Sequence, residues 1–246
     1  MNEPVIKTDK LTKRFGDFIA TNEITLEVYP GEIFGFLGAN GAGKTTAMRM
    51  LCGLSRPSSG RATIAGFDVY RQTEQIKKHI GYMSQRFSLY EDLTVLENIR
   101  FFGGIYGLSD TTLKQKSDEL ITQLGLQSEA KKLVAGLPLG WKQKLSFSVA
   151  VIHQPKIVFL DEPTGGVDPV TRRQFWELIY DAASKGVTIF VTTHYMDEAE
   201  YCNRISIMVD GKIEALDTPR NLKQRFHAAS MDEVFYQLAR GAKRSD

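Results

Sequence analysis

The run Gly38-Ala39-Asn40-Gly41-Ala42-Gly43-Lys44-Thr45 follows the pattern G-x-x-x-x-G-K-[ST], an arrangement suited to wrapping a chain of phosphates. Glycines without a Cβ let successive backbone N–H groups close on an anion, and a helix starting just after them adds its positive end. Lys44 offers a mobile positive charge for the β- and γ-phosphates of a nucleotide, and the Thr45 hydroxyl can ligate Mg²⁺. The residues expected to touch the nucleotide here are Gly38, Asn40, Gly41, Ala42, Gly43, Lys44, Thr45 and Thr46. The competing reading is an ordinary glycine-rich turn. It is disfavoured by the apolar run Ile33–Leu37 before the loop and the helix-forming residues after it.

A second constellation is Ile157-Val158-Phe159-Leu160-Asp161-Glu162, an apolar strand with two carboxylates at its tip. In a buried strand this pattern delivers both acids to the ligand face of a sheet. Asp161 is expected to hold Mg²⁺, and Glu162 to orient and deprotonate an attacking water. Alone, such a pair would more often cap a helix or lie in a solvated turn. The phosphate loop tips the reading toward phosphoryl chemistry.

The elements that must position these groups are α/β. Val5–Thr8, Ile24–Tyr29, Ile33–Leu37, Arg61–Ile64 and Ile80–Met83 read as strands, with turns at Pro30-Gly31, Pro57, Gly60 and Gly66, and a helix from Lys44 to Leu54. Between residues 86 and 151 strand signals vanish. Leu113, Leu120 and Leu124 recur at helical spacing between a Ser109-Asp110 start and a Gly125 stop. Strands return at Lys156–Leu160, Val187–Thr192 and Ile205–Val209, with a helix that Asp168-Pro169 opens and Gly186 ends. Alternation of this kind predicts a mainly parallel sheet with its ligand at the carboxyl ends of the strands.

Composition sets limits. A length of 246 residues suits one large two-lobed domain, and a formal charge of +2 is too small to mark a nucleic-acid surface. Cys52 and Cys202 lack metal-ligand spacing and are expected as buried thiols. The first ten residues carry charges where a secretory signal would be apolar, so a cytoplasmic location is expected. The longest apolar runs fall well short of the roughly 20 residues that cross a bilayer. Any membrane role would therefore be borrowed from a partner.

Lys44, Asp161-Glu162-Pro163-Thr164, the Asp168 turn and His194 occur in the order seen in ABC-transporter nucleotide-binding domains, and the chain resembles that family over nearly its whole length. The resemblance implies a P-loop NTPase fold with an antiparallel β subdomain and an inserted helical one. Residues 1–85 and 152–230 would form core and β subdomain, 86–151 the helical subdomain and 231–246 a tail. It implies further roles that spacing does not give. Phe15 matches the aromatic stacked on adenine, though without the family it reads as a core residue. Gln85 matches the glutamine that approaches metal and attacking water. His194 matches the switch histidine at the γ-phosphate; alone, a histidine there reads as structural. Asp168 matches a loop that crosses a dimer interface, which is compatible with a plain N-cap role before Pro169.

One segment departs from the pattern. Where the family carries Leu-Ser-Gly-Gly, this chain has Leu137-Pro138-Leu139-Gly140-Trp141. In the family this segment faces the γ-phosphate held by the opposite subunit. Proline offers neither hydroxyl nor N–H, and Leu139 puts a side chain where close backbone approach was needed. A weak grip on nucleotide is expected, and with it a dimer whose second ATP-binding domain carries an ordinary signature rather than a homodimer. Tyr82–Tyr90, Leu137–Trp141, Asp197–Cys202 and the tail Met231–Leu238 are most similar to type-2 multidrug-efflux ATP-binding subunits, in particular the second half of tandem ones. That resemblance implies an ATPase, with ATP and Mg²⁺, coupled to an ABC-2 type permease at the cytoplasmic face of the membrane. Phe87, Leu89 and Tyr90 would receive a short permease helix beside Gln85, or else form ordinary subdomain core. Two other readings share the phosphate site: a soluble ABC ATPase acting on ribosomes or DNA, and a nucleotide sensor with little hydrolysis.

Overall fold

The computed structural model describes residues 3–85 and 89–241. Strands β1 (Ile6–Phe15), β2 (Phe18–Val28), β4 (Ser59–Ile64) and β5 (Phe67–Asp68) form an antiparallel sheet in the order β2-β1-β4-β5. A second sheet runs β10-β9-β3-β8-β7-β6, built from β3 (Ile33–Gly38), β6 (Ile80–Met83), β7 (Ile157–Asp161), β8 (Thr188–Thr193), β9 (Arg204–Val209) and β10 (Lys212–Asp217). Its pairings are parallel except for the edge strand β10. Every residue of β3, β7 and β8 is buried, as expected of central parallel strands covered on both faces.

One face of the large sheet packs Phe34, Phe36, Phe159 and Phe190 against α1 (Lys44–Leu51) and the antiparallel sheet. The other face packs Leu37, Val158, Leu160 and Val191 against Phe175 and Trp176 of α6 (Pro169–Ser184). The helix α2 (Thr73–His79) leads into β6. The helical segment holds α3 (Val95–Ile105), α4 (Asp110–Leu124) and α5 (Leu139–Val151) around their own cluster, which includes Ile99, Leu120 and Leu145. α5 is shared between lobes: Leu145 and Val149 face that cluster while Phe147 packs edge-on against Phe175 of α6. Two short helices, α7 (Pro219–Arg225) and α8 (Met231–Gly241), close the chain, and Met231 and Val234 bury themselves in the α6-side core.

Several elements follow their sequence signals closely. The Ser109 hydroxyl accepts from the Thr112 N–H at the start of α4, and Gly125 ends that helix at φ 67°. The first hairpin is longer than the expected Val5–Thr8 and Ile24–Tyr29. Lys10 and Glu23 take positive φ near shifts in the β1–β2 register, so the two-residue alternation breaks in mid-strand and the pattern is lost. The helix expected to reach Leu54 ends at Leu51, with Gly53 at φ 69° just beyond.

Candidate nucleotide site

β3 ends at the phosphate loop and α1 begins with Lys44, so the loop sits at the carboxyl edge of the parallel sheet. Gly43 has φ 101°, and a Cβ there would lie 2.2 Å from the Ala20 carbonyl oxygen of β2. A Cβ on Gly38 would come within 2.5 Å of the Met208 carbonyl. Glycine is therefore dictated twice, by dihedral and by packing. The Gly211 N–H donates to the Ala42 carbonyl at 3.1 Å, tying the loop to the turn between β9 and β10.

Parallel pairing sets Asp161 opposite Thr192 and Leu37 opposite Thr193, which brings three strand ends to one edge. Asp161 is buried, and its Oδ1 accepts from the Thr192 hydroxyl at 2.7 Å and the Thr45 hydroxyl at 3.2 Å. The next residue, Glu162, adopts φ 48°, and its N–H donates to the Thr192 carbonyl and hydroxyl, each at 3.1 Å. A non-glycine residue in that region carries roughly 1–2 kcal/mol of strain, offset here by the two hydrogen bonds.

The Glu162 carboxylate is the hub of the site. Its Oε1 lies 3.2 Å from the Lys44 ammonium, and both side chains are almost fully buried. Its Oε2 accepts from Gln85 Nε2 at 2.9 Å and from His194 Nδ1 at 3.1 Å. Lys44 also donates to the carbonyls of Gly38 at 2.8 Å and Ala39 at 3.1 Å. Three residues far apart in sequence thus converge on one carboxylate. Three N–H donors fix the orientation of the Glu162 carboxylate.

The remaining expected residues divide. Phe15 is 57% exposed at the tip of the β1–β2 hairpin, with the Lys13 ammonium 5.0 Å over its ring. It is not a core residue. Asp168 caps α6, accepting from the N–H groups of Val170 and Thr171 and from the Thr171 hydroxyl at 2.6 Å. The Thr171 hydroxyl and N–H hold the Asp168 carboxyl below the usual range. Leu137 is buried in the helical cluster, and Pro138 is the N-cap of α5 with no side-chain hydrogen bond to the helix end. Pro138, Leu139, Gly140 and Trp141 share a groove of about 320 Å³ with Gly166, Val167 and Asp168. Leu139 is 38% exposed and also lines a smaller cavity with Gln85 and Glu162. A Cβ on Gly140 would meet Thr171 Cγ2 at 2.4 Å, so α5 and α6 nearly touch there.

Of the aromatics considered for docking, Leu89 is buried in the helical cluster, and Phe87 lies outside the described residues. Tyr90 is exposed and packs edge-on against the exposed Phe101, with ring centroids 5.0 Å apart. Cys52 and Cys202 are free and buried, and burial raises both thiols above their ordinary value. Sequence reading passed over Thr192, which fixes Asp161, and Gln143, whose buried amide donates to the Gly165 carbonyl at 3.1 Å. The signal for Thr192 is its place at the end of β8, one strand over from Asp161.

A glycine loop on a strand–helix junction, with an acid pair at the next strand tip but one, defines a nucleoside-triphosphatase. A profile described as ABC transporter matches residues 21–165, and the chain belongs to that family as an ATP-binding, ATP-hydrolysing domain. It is 48% identical over 241 residues to the probable multidrug ABC transporter ATP-binding protein YbhF of Escherichia coli (strain K12), spanning 96% of this chain and 42% of that one. The chain thus covers less than half of that relative's length. It is 34% identical to the linearmycin resistance ATP-binding protein LnrL of Bacillus subtilis (strain 168), over 90% of this chain and 71% of LnrL. Among solved structures, an ATP-binding subunit of an ABC transporter matches at TM-score 0.86 and 27% identity, covering 95% of this chain and 99% of its own. A dimeric ATP-binding cassette in a post-hydrolysis state, bound to ADP and Pi, matches at TM-score 0.77 and 25% identity, over 87% and 98% of the two chains.

Proposed function

We propose that this chain is the ATP-driven motor of an exporter of drugs or other small molecules, working at the cytoplasmic face of a membrane through an ABC-2 type permease. The observation that carries the catalytic part is the convergence of Lys44, Gln85 and His194 on the Glu162 carboxylate. The transport part is supported by the relatives' names, which speak of multidrug transport and of linearmycin resistance. Among the described residues no helix is long and apolar enough to cross a membrane. Tyr90 and Phe101, in contact with each other, are exposed aromatics that this reading offers to the permease.

In this reading the loop N–H groups and Lys44 clasp the triphosphate, with Phe15 against the adenine. Lys44 then exchanges the Gly38 and Ala39 carbonyls for phosphate oxygens. Glu162, aligned by Gln85 and His194, accepts a proton as water oxygen bonds to the γ-phosphorus and the bond to the β-phosphate oxygen breaks. The donor set fits magnesium: the Thr45 hydroxyl and Asp161 already share a hydrogen bond, Gln85 adds an amide oxygen, and Mg²⁺ asks for only one or two carboxylates beside phosphates and water. Bound there, the cation would neutralise charge on the β- and γ-phosphates.

The same reading makes the functional unit a head-to-tail pair of ATP-binding domains, with segment 137–141 and Asp168 facing the partner's nucleotide. Pro138 caps α5 without a hydroxyl, which favours a partner whose own signature is ordinary. Titrating MgATP into the purified chain tests the site. Magnesium-dependent heat that disappears in Lys44→Ala is expected, and equal binding by both proteins would remove the reading.

A further inference from the structure

Behind the Glu162 hub lies a second buried carboxylate. Glu198 is fully buried in the 3₁₀ turn Met196–Tyr201, yet the chemistry described so far gives it no task. Its Oε1 accepts from the Thr164 hydroxyl and lies 3.7 Å from the Arg172 guanidinium, while its Oε2 has no partner. A carboxyl group buried with one hydrogen bond and a loose counter-charge is costly to keep, and an apolar replacement of similar size would serve packing as well or better. The place it occupies suggests what the carboxylate is retained for.

Three segments meet at Glu198. Thr164 lies two residues past Glu162. Arg172 belongs to the first turn of α6, where its N–H donates to the Asp168 carbonyl at 2.9 Å. The Arg172 guanidinium also stacks 4.2 Å over the Tyr195 ring and reaches Asp197 at 3.3 Å, and the Tyr195 ring lies 4.2 Å from that of His194. A closed circuit runs from the tail of Glu162, through Glu198 and Arg172, to the turn that carries His194.

We infer that Glu198 is a positioning residue, which with Thr164 and Arg172 holds the His194 turn in register with Glu162 and links both to the Asp168 loop. It touches no phosphate and acts through His194. The inference rests on the reading of His194 as a working member of the site. A displacement of about 1 Å in a catalytic group lowers rates by up to about a hundredfold, so release of this clamp is expected to show in kcat. Affinity should be spared, because the phosphate loop is held by β2 and the β9–β10 turn instead.

A double-mutant cycle on the full chain tests this, with ATP turnover and thermal unfolding measured for Glu198→Gln, His194→Ala and the pair. The expected result is a fall in kcat on the order of tenfold for Glu198→Gln, with KM for MgATP within about twofold, and a double variant no slower than His194→Ala alone. Multiplying losses in the double variant, or a parallel loss of kcat, KM and thermal stability, would overturn the inference while leaving the ATPase site intact. An unchanged rate in His194→Ala would remove the reading of His194 and the inference with it. Should Glu198→Gln fail to fold, Thr164→Val supplies the same test. Thr164→Ser is expected to restore the rate that Thr164→Val loses, and failure to do so counts against the clamp.

Discussion

The Glu162 hub and the Pro138 segment, which the proposed function makes the two halves of a paired ATPase site, are built by opposite means. Around Glu162 every polar atom discussed has a partner: buried ammonium, amide, imidazole and two backbone bonds meet on one residue. At Pro138 the start of α5 carries no side-chain cap, and a half-exposed leucine stands next to a glycine packed tightly on α6. The first is a preorganised polar site, whose donors are fixed before any substrate arrives. The second keeps the close helix packing but, in the proposed reading, lacks the groups that would grip a partner's phosphate. Under the proposed function, intact chemistry in cis beside an altered surface in trans would make a chain that completes its own site and contributes little to its partner's.

That contrast can be broken at either end. The largest expected effect is at the hub: His194→Ala should lower kcat about a hundredfold or more, with MgATP affinity nearly kept, as read by steady-state phosphate release. A rate within about twofold of wild type would separate the histidine from the chemistry. Restoring the trans surface should do the reverse. Pro138→Ser with Leu139→Gly returns a hydroxyl and an N–H to the start of α5, and turnover of the chain on its own is expected to rise about tenfold. No change would mean that the segment does not limit the rate.

A smaller effect tests packing rather than chemistry. Gly140→Ala sets a methyl against Thr171 Cγ2, whose hydroxyl is tied to Asp168, so overpacking should cost about 1–3 kcal/mol. Thermal unfolding should report this as a fall of several degrees. The smallest concerns neither half directly. His153 stacks on Tyr106 at 3.7 Å and donates from Nε2 to the Ile80 carbonyl, and burial lowers its pKa to about 4. Its unfolded value is near 6.5, so the unfolded chain binds the extra proton between these limits. Stability should therefore fall as pH drops from about 6.5 toward 4, and His153→Phe should flatten that slope in denaturant melts.

The contrast also explains how much could be read in advance. The phosphate loop was legible because its glycines answer to dihedral and contact limits that no other residue meets at Gly43, and the caps of α4 and α6 because Ser109, Gly125 and Asp168 act locally. The convergence on Glu162 was not written in spacing: Gln85 is 77 residues away and His194 is 32. Only strand order brings them together, and here family resemblance named them before geometry did. Glu198 entered only within the Asp197–Cys202 run that carries the family resemblance, and nothing local reveals that its carboxylate faces inward. α2 and α7 were missed as short, mostly polar runs and β10 as a short edge strand, all stabilised by docking on the rest of the fold.

Glu162 itself offers the most direct test. Phosphate release by the purified chain with MgATP should fall by a factor of a hundred or more in Glu162→Gln while nucleotide still binds, because the amide keeps the shape but cannot take the proton. Release at the wild-type rate from that variant would contradict the assignment of Glu162 as the base on which the site is built.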